Sequence, residues 1–108
     1  MKLIAPDRGN ISFDTMINEI KEYTSIRPNA KIIVGSDSQK VKNKFCFATC
    51  VAIWDPGHGG IFYIEKDYKN PHRKFNSIKS MIAWKTYEEA GCTSQMICAL
   101  TDAGIDYK

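Results

Sequence analysis

Long hydrophobic runs are missing from this 108-residue chain. None approaches the roughly 18 apolar residues of a membrane span. The start, Met1-Lys-Leu-Ile-Ala-Pro6, is too short for a secretory signal. A cytoplasmic protein with no membrane role is therefore expected. A strong charge of either sign is also lacking: 15 basic against 12 acidic residues leave +3, which permits contact with nucleic acid without demanding it. The four cysteines lack zinc-knuckle spacing, since Cys46 and Cys50 fall in a strand-like run and Cys92 and Cys98 in a helical one, with neither pair on a turn. They read as reduced, buried thiols. No Cys stands beside a His or at a helix start, which argues against thiol catalysis. Gly57-His-Gly-Gly60 has no following Lys-Ser/Thr, which excludes a phosphate-binding loop, and His58 reads as a turn residue. There is no internal repeat, linker or low-complexity tract. What remains, 44% hydrophobic and 25% charged, is ordinary for one globular domain over residues 1–108. That length suffices to bury about two-thirds of the unfolded surface.

What is present is a clear alternation of element types. Ser12 precedes Met16, Ile17, Ile20 and Tyr23 at helical spacing, with Asp14 in the first turn. Pro28 and Asn29 end that helix, and a strand from Lys31 to Asp37 follows. The polar stretch Ser38 to Lys44 reads as a turn. Phe45 to Trp54 is uncharged, with bulky residues at Phe45, Phe47, Val51 and Ile53 and mostly small ones at Cys46, Ala48, Cys50 and Ala52. Side chains alternate across a strand, so both faces look covered and helices are expected on each side of the sheet. Asp55-Pro-Gly-His-Gly-Gly60 is a strong turn, and Ile61 to Ile64 returns as a partner strand. An N-terminal helix and a three-stranded antiparallel meander thus precede a basic loop, Lys66 to Lys74, and a long helix from about Phe75 towards Leu100.

Two acids stand where the pattern expects none. Asp37 closes an apolar strand, and carboxylates are seldom buried unless paired. It is a candidate metal-binding or catalytic residue, or else a strand exit that caps the next turn. At about 100° per residue, the long helix carries an apolar stripe of Ile78, Ile82, Met96 and Leu100, flanked by Met81, Cys92 and Ala99. Glu89 falls in the middle of that stripe and Glu88 near its edge. Two plainer readings of Glu89 are a pair with Lys85, worth a few tenths of a kcal/mol, and a helix broken at Gly91. In the basic loop, Lys69, His72, Arg73 and Lys74 are candidates for salt-sensitive phosphate contacts, with a solvated loop as the alternative.

The stretches Ile32-Ile-Val-Gly-Ser-Asp-Ser-Gln39, Phe45 to Ile53 and Gly59-Gly-Ile-Phe-Tyr-Ile64 together resemble the YkuK-type family of bacterial proteins. The likeness runs from about Phe13 to Leu100, and its strongest mark is Gly35-Ser-Asp-Ser-Gln39. The resemblance implies an α/β domain of ribonuclease H-like fold. In that fold the first meander strand carries the leading metal-binding Asp and the next helix a Glu. A fourth strand and a late helix supply further carboxylates. Asp37 matches the leading Asp, and Glu89 the helix Glu, with Glu88 in reserve. The family would continue into a fourth strand, a helix and a fifth strand, whereas this sequence stops at Lys108. Neither Asp102 nor Asp106 lies on a strand that could supply a third ligand. An incomplete version of the fold is expected, either a fragment or a shortened member. Its unpaired sheet edge invites pairing between copies as a homodimer.

The same resemblance implies a divalent-metal-dependent nuclease, or a relic of one, using Mg²⁺ or Mn²⁺ to hydrolyse RNA or DNA. Such chemistry places two ions about 3.5–4 Å apart, each wanting several oxygen ligands. Asp37 and Glu89 are at best half of that site, so the isolated chain is expected to be inactive. The alternative is a non-catalytic nucleic-acid-binding or protein-interaction module completed by another chain.

Overall fold

Alternation along one apolar segment sets the architecture. The computed structural model describes residues 2–71 and 74–105. The strands are β1 (Lys2–Ala5), β2 (Gly9–Asn10), β3 (Lys31–Val41), β4 (Lys44–Asp55) and β5 (Gly59–Lys69). The helices are α1 (Phe13–Ser25) and α2 (Ile78–Asp102). All five strands form one sheet, ordered β2-β1-β5-β4-β3, with every pairing antiparallel. The expected meander is β3-β4-β5. The short β1–β2 ribbon adds two strands that the Pro6-interrupted N-terminus did not announce.

In β4, Phe45, Phe47, Thr49, Val51 and Ile53 are all buried. Against them lie Met16, Ile17 and Ile20 of α1 and Met96 and Leu100 of α2, so both helices cover the same face. Helices on each side of the sheet were expected, and the structure corrects this. The small residues Cys46, Ala48, Cys50 and Ala52 lie on a face that no described element covers. Small side chains permit close packing, but they do not require it.

Strand β3 runs to Val41, past the expected turn at Ser38. Gln39, Lys40 and Val41 pair with Cys46, Phe45 and Lys44, so the turn shrinks to Lys42-Asn43, with Lys42 at φ 58°. Polar residues do not end an edge strand whose side chains can point to solvent. Asp37 therefore sits inside the strand and not at its exit.

Helix α1 starts at Ser12, whose Oγ accepts the Thr15 amide at 3.1 Å. Helix α2 starts at Ser77 with a reciprocal capping box to Ser80 and runs unbroken through Gly91. Its C-terminal half buries Cys92, Met96 and Leu100, as the stripe predicts. Its first turns differ, because Ile78 and Ile82 are 72% and 53% exposed. Met81 and Trp84 pack there instead, Trp84 edge-on to Phe45 and Phe47 with ring centroids 5.1 and 5.7 Å away. These local contacts of Met81 and Trp84 are ones that average periodicity does not register. No described helix is long and apolar enough to cross a membrane.

Candidate functional site

Opposite residues of an antiparallel pair share a face, and neighbours along a strand alternate. Asp37 is paired with Ala48, which places it on the uncovered face with Ile33 and Gly35. Ser36 and Ser38 pair with Thr49 and Phe47, on the helix-covered face. Glu89 approaches from α2 on that covered side and accepts a hydrogen bond from the Ser38 hydroxyl. Asp37 is exposed, and its Oδ1 accepts the Ser38 amide at 2.8 Å. The two acids singled out in the sequence thus meet at one residue, but they do not share a face.

Glu88 lies about 100° round the helix from Glu89 and turns towards β5. There Lys69 Nζ donates to its Oε2 at 2.9 Å and lies 3.8 Å from Cys92 Sγ. Burial disfavours the Lys69 ammonium, but Glu88 and its neighbours more than offset this and leave its pKa raised. Lys69 is therefore engaged by the helix and not presented from an open loop. Lys74 is exposed. His72 and Arg73 lie outside the described residues.

Between these acids runs a seam of hydroxyls. Thr93 Oγ1 donates to Ser36 Oγ at 2.8 Å, and Ser36 Oγ lies 3.0 Å from Thr49 Oγ1. Glu65 is Thr49's partner across the β4–β5 ladder, and Asp67 follows on the same face. Burial, and then the Asp67 charge, push the Glu65 carboxyl above its usual range. The i, i+2 spacing of Glu65 and Asp67 was a signal available in the sequence. Even so, among the described residues no group of three or more His, Cys, Asp or Glu side chains could hold a metal ion. The donor set of the described residues does not fit a two-ion centre.

The uncovered face has a different character. Exposed Trp54, Phe62 and Tyr68 stand on β4 and β5. The ladder registers put Lys2, Lys31, Lys44 and Lys66 on the same face, with Asp37 the one acid that its four longest strands contribute. Between them lies a shallow hollow of about 420 Å³ lined by Ile33, Gly35, Ala48, Cys50, Ala52 and Ile64. Cys50 sits in that hollow, where burial pushes its thiol pKa up, so it is no ready nucleophile.

A second polar cluster escaped the sequence reading. Arg8, in the β1–β2 turn, grips Glu19 of α1 with both terminal nitrogens, at 2.5 and 2.7 Å. Tyr63 of β5 donates its hydroxyl to the same carboxylate at 2.7 Å. Arg8 and then Tyr63 hold the Glu19 carboxyl down at about 2. The cluster borders a hollow of about 610 Å³ that also includes Tyr23, Arg27 and Phe62. Arg8 and Glu19 are satisfied by each other, and Arg27 stacks on Tyr23 with its Cζ 3.9 Å from the ring centre. These groups read as a clamp joining the β1–β2 turn, α1 and β5. Nothing in the one-dimensional spacing of Arg8, Glu19 and Tyr63 announces it.

The model of a family described as Ribonuclease H-like matches residues 15–107 of the chain. No curated protein and no solved structure matches it.

Proposed function

The chain belongs to the ribonuclease H-like family, and from that premise we propose that it binds single-stranded nucleic acid on the uncovered face of its sheet without cleaving it alone. The observation that carries this reading is the grouping of Trp54, Phe62 and Tyr68 with four lysines on one open antiparallel face. Single strands are bound by aromatic side chains on which bases stack, inside a positive frame that follows the phosphates. Trp54 pairs with Gly60, so Phe62 is its diagonal neighbour, a separation of about 7–8 Å. Tyr68 lies six residues further along β5, roughly 20 Å at the rise of a strand. That span suits a short run of nucleotides. The hollow between is apolar and shallow, and it would seat base edges rather than a duplex. The Gly35-Ser-Asp-Ser-Gln39 stretch further supports a YkuK-type member of the family.

Asp37 and Glu89 are the two acids that the sequence offered for a divalent cation. They face opposite sides of β3, which is why cleavage is not assigned to the chain by itself. The test is anisotropy of a fluorescein-labelled oligouridylate, titrated with protein in EDTA at low salt. Binding should occur without metal, weaken steeply with salt, and fall about tenfold for Lys66→Glu and for Phe62→Ala. Absence of binding, or binding that ignores both substitutions, would refute the proposal. Strand scission that requires Mg²⁺ or Mn²⁺ and is lost in Asp37→Asn would restore the nuclease reading.

A further inference from the structure

We propose that two copies of this chain pair antiparallel through the outer edge of β3, about a two-fold axis at Val34. This inference is independent of the nucleic-acid reading. Strand β3 ends the sheet, and no described element pairs with its outer side. Val41 and Lys44 flank the two-residue loop Lys42-Asn43, and the pair closing such a hairpin exchanges both backbone hydrogen bonds. Counting back by twos, the odd residues of β3 bond to β4. The amides and carbonyls of Ile32, Val34, Ser36, Ser38 and Lys40 therefore point outward. The Ser38 amide bears this out, because Asp37 Oδ1 takes it from the side. Asp37 thus caps the edge at Ser38 and leaves Ile32, Val34 and Ser36 open.

A two-fold at Val34 engages that open segment and no more. Val34 faces its own copy, and Ile32 faces Ser36. On the uncovered side Ile33 falls opposite Gly35, where an added Cβ would meet nothing within 4 Å. The bulk of Ile33, 56% exposed in one chain, thus lies over a residue with no side chain. Lys31 falls opposite Asp37, twice by symmetry. Of the charged groups on the uncovered side of this strand, the one acid meets a base, and like charges do not face each other.

The helix above supports the same partner. Glu89 and Thr93 mark the side of α2 that touches β3, whereas Glu88 marks the side towards β5. Continuing round from Glu89 and Thr93, the flank overhanging the β3 edge presents Ile82, Thr86, Ala90 and Ile97. Lys79, in the first turn of α2, is the one charge on this flank, and Ile82 and Ile97 are exposed. A second α2, brought alongside by the same axis, would cover them.

The test is sedimentation equilibrium of the full chain over a wide concentration range, with a charge exchange. The wild-type chain should dimerise reversibly. Lys31→Asp and Asp37→Lys should each weaken the dimer about tenfold, and the double exchange should restore it. Amide exchange at Ile32, Val34 and Ser36 should slow as concentration rises. A strictly monomeric chain, a dimer indifferent to both single changes, or failure of the double exchange to rescue would each overturn the proposal. Loss of nucleic-acid binding with the dimer intact leaves it standing.

Discussion

Asp37 and Glu89 hold the same residue from opposite sides of the sheet: Asp37 accepts the Ser38 amide and Glu89 accepts the Ser38 hydroxyl. Ser38 is thus, beside Ser36, a point at which β3 is tied to α2. Replacing Ser38 with Ala strands a half-buried carboxylate. The expected cost is about 1–3 kcal/mol, read as a lower urea midpoint with an unchanged slope. Asp37→Asn keeps an acceptor for the amide and should leave stability within about 0.5 kcal/mol of wild type.

The hydroxyl seam makes a second prediction. Thr49 is 2% exposed, and its hydroxyl lies 3.0 Å from Ser36. Thr49→Val keeps the shape and removes one polar group, while Ser36 still accepts from Thr93. A loss of about 1 kcal/mol is expected. Ser36→Ala, which removes the central member, should cost more. Urea unfolding of both variants measures the order.

Trp84 joins α2 to the sheet through Phe45 and Phe47, with Phe75 of the segment before α2 packed beside it. Truncating Phe47, which is 1% exposed, to Ala should cost about 3–5 kcal/mol. The Trp84 contribution to near-ultraviolet circular dichroism should weaken at the same time.

Acid stability follows from Glu19. Its carboxyl is held at about 2, against an ordinary value of 4.5, by Arg8 and Tyr63. A depressed folded-state value means that the charged form stabilises the native state. The contribution is complete above 4.5 and disappears as pH falls from there towards 2. The pair is largely exposed, so salt should reduce the effect. Glu19→Gln should flatten the melting temperature against pH across that interval and change little in its slope near neutrality.

Lys42 occupies a left-handed position at φ 58° in the β3–β4 turn. Glycine adopts that conformation without the Cβ clash. Lys42→Gly should therefore stabilise the hairpin by about 0.5–1 kcal/mol, seen as a higher melting temperature. A decrease would mean that the lysine side chain makes a stabilising contact there.

Much of the fold was legible because local chemistry and burial agree in it. Ser12 and the Met16, Ile17, Ile20 spacing placed α1, and the bulky and small faces of Phe45 to Trp54 placed β4. The turn at Asp55 to Gly60 placed β5. The stretch Gly35 to Gln39 carried a resemblance that implied a ribonuclease H-like fold, and the model of the ribonuclease H-like family matches residues 15–107. The candidate site was less legible. Spacing on the strand and helix singled out Asp37 and Glu89, but extending β3 through Ser38 to Val41 fixed which way Asp37 faces. Side chains flip faces with each residue, so one residue of strand decides the issue.

The sequence by itself determined the two helices and the β3-β4-β5 meander, because periodic burial is written locally. It also marked out the acids as unusual. Only the tertiary structure decided that both helices share one side of the sheet, that Asp37 and Glu89 lie back to back across β3, and that Arg8, Glu19 and Tyr63 converge. Those outcomes depend on register and on contacts between residues far apart in the chain, and a strand's alternation is the same whichever side a distant helix chooses.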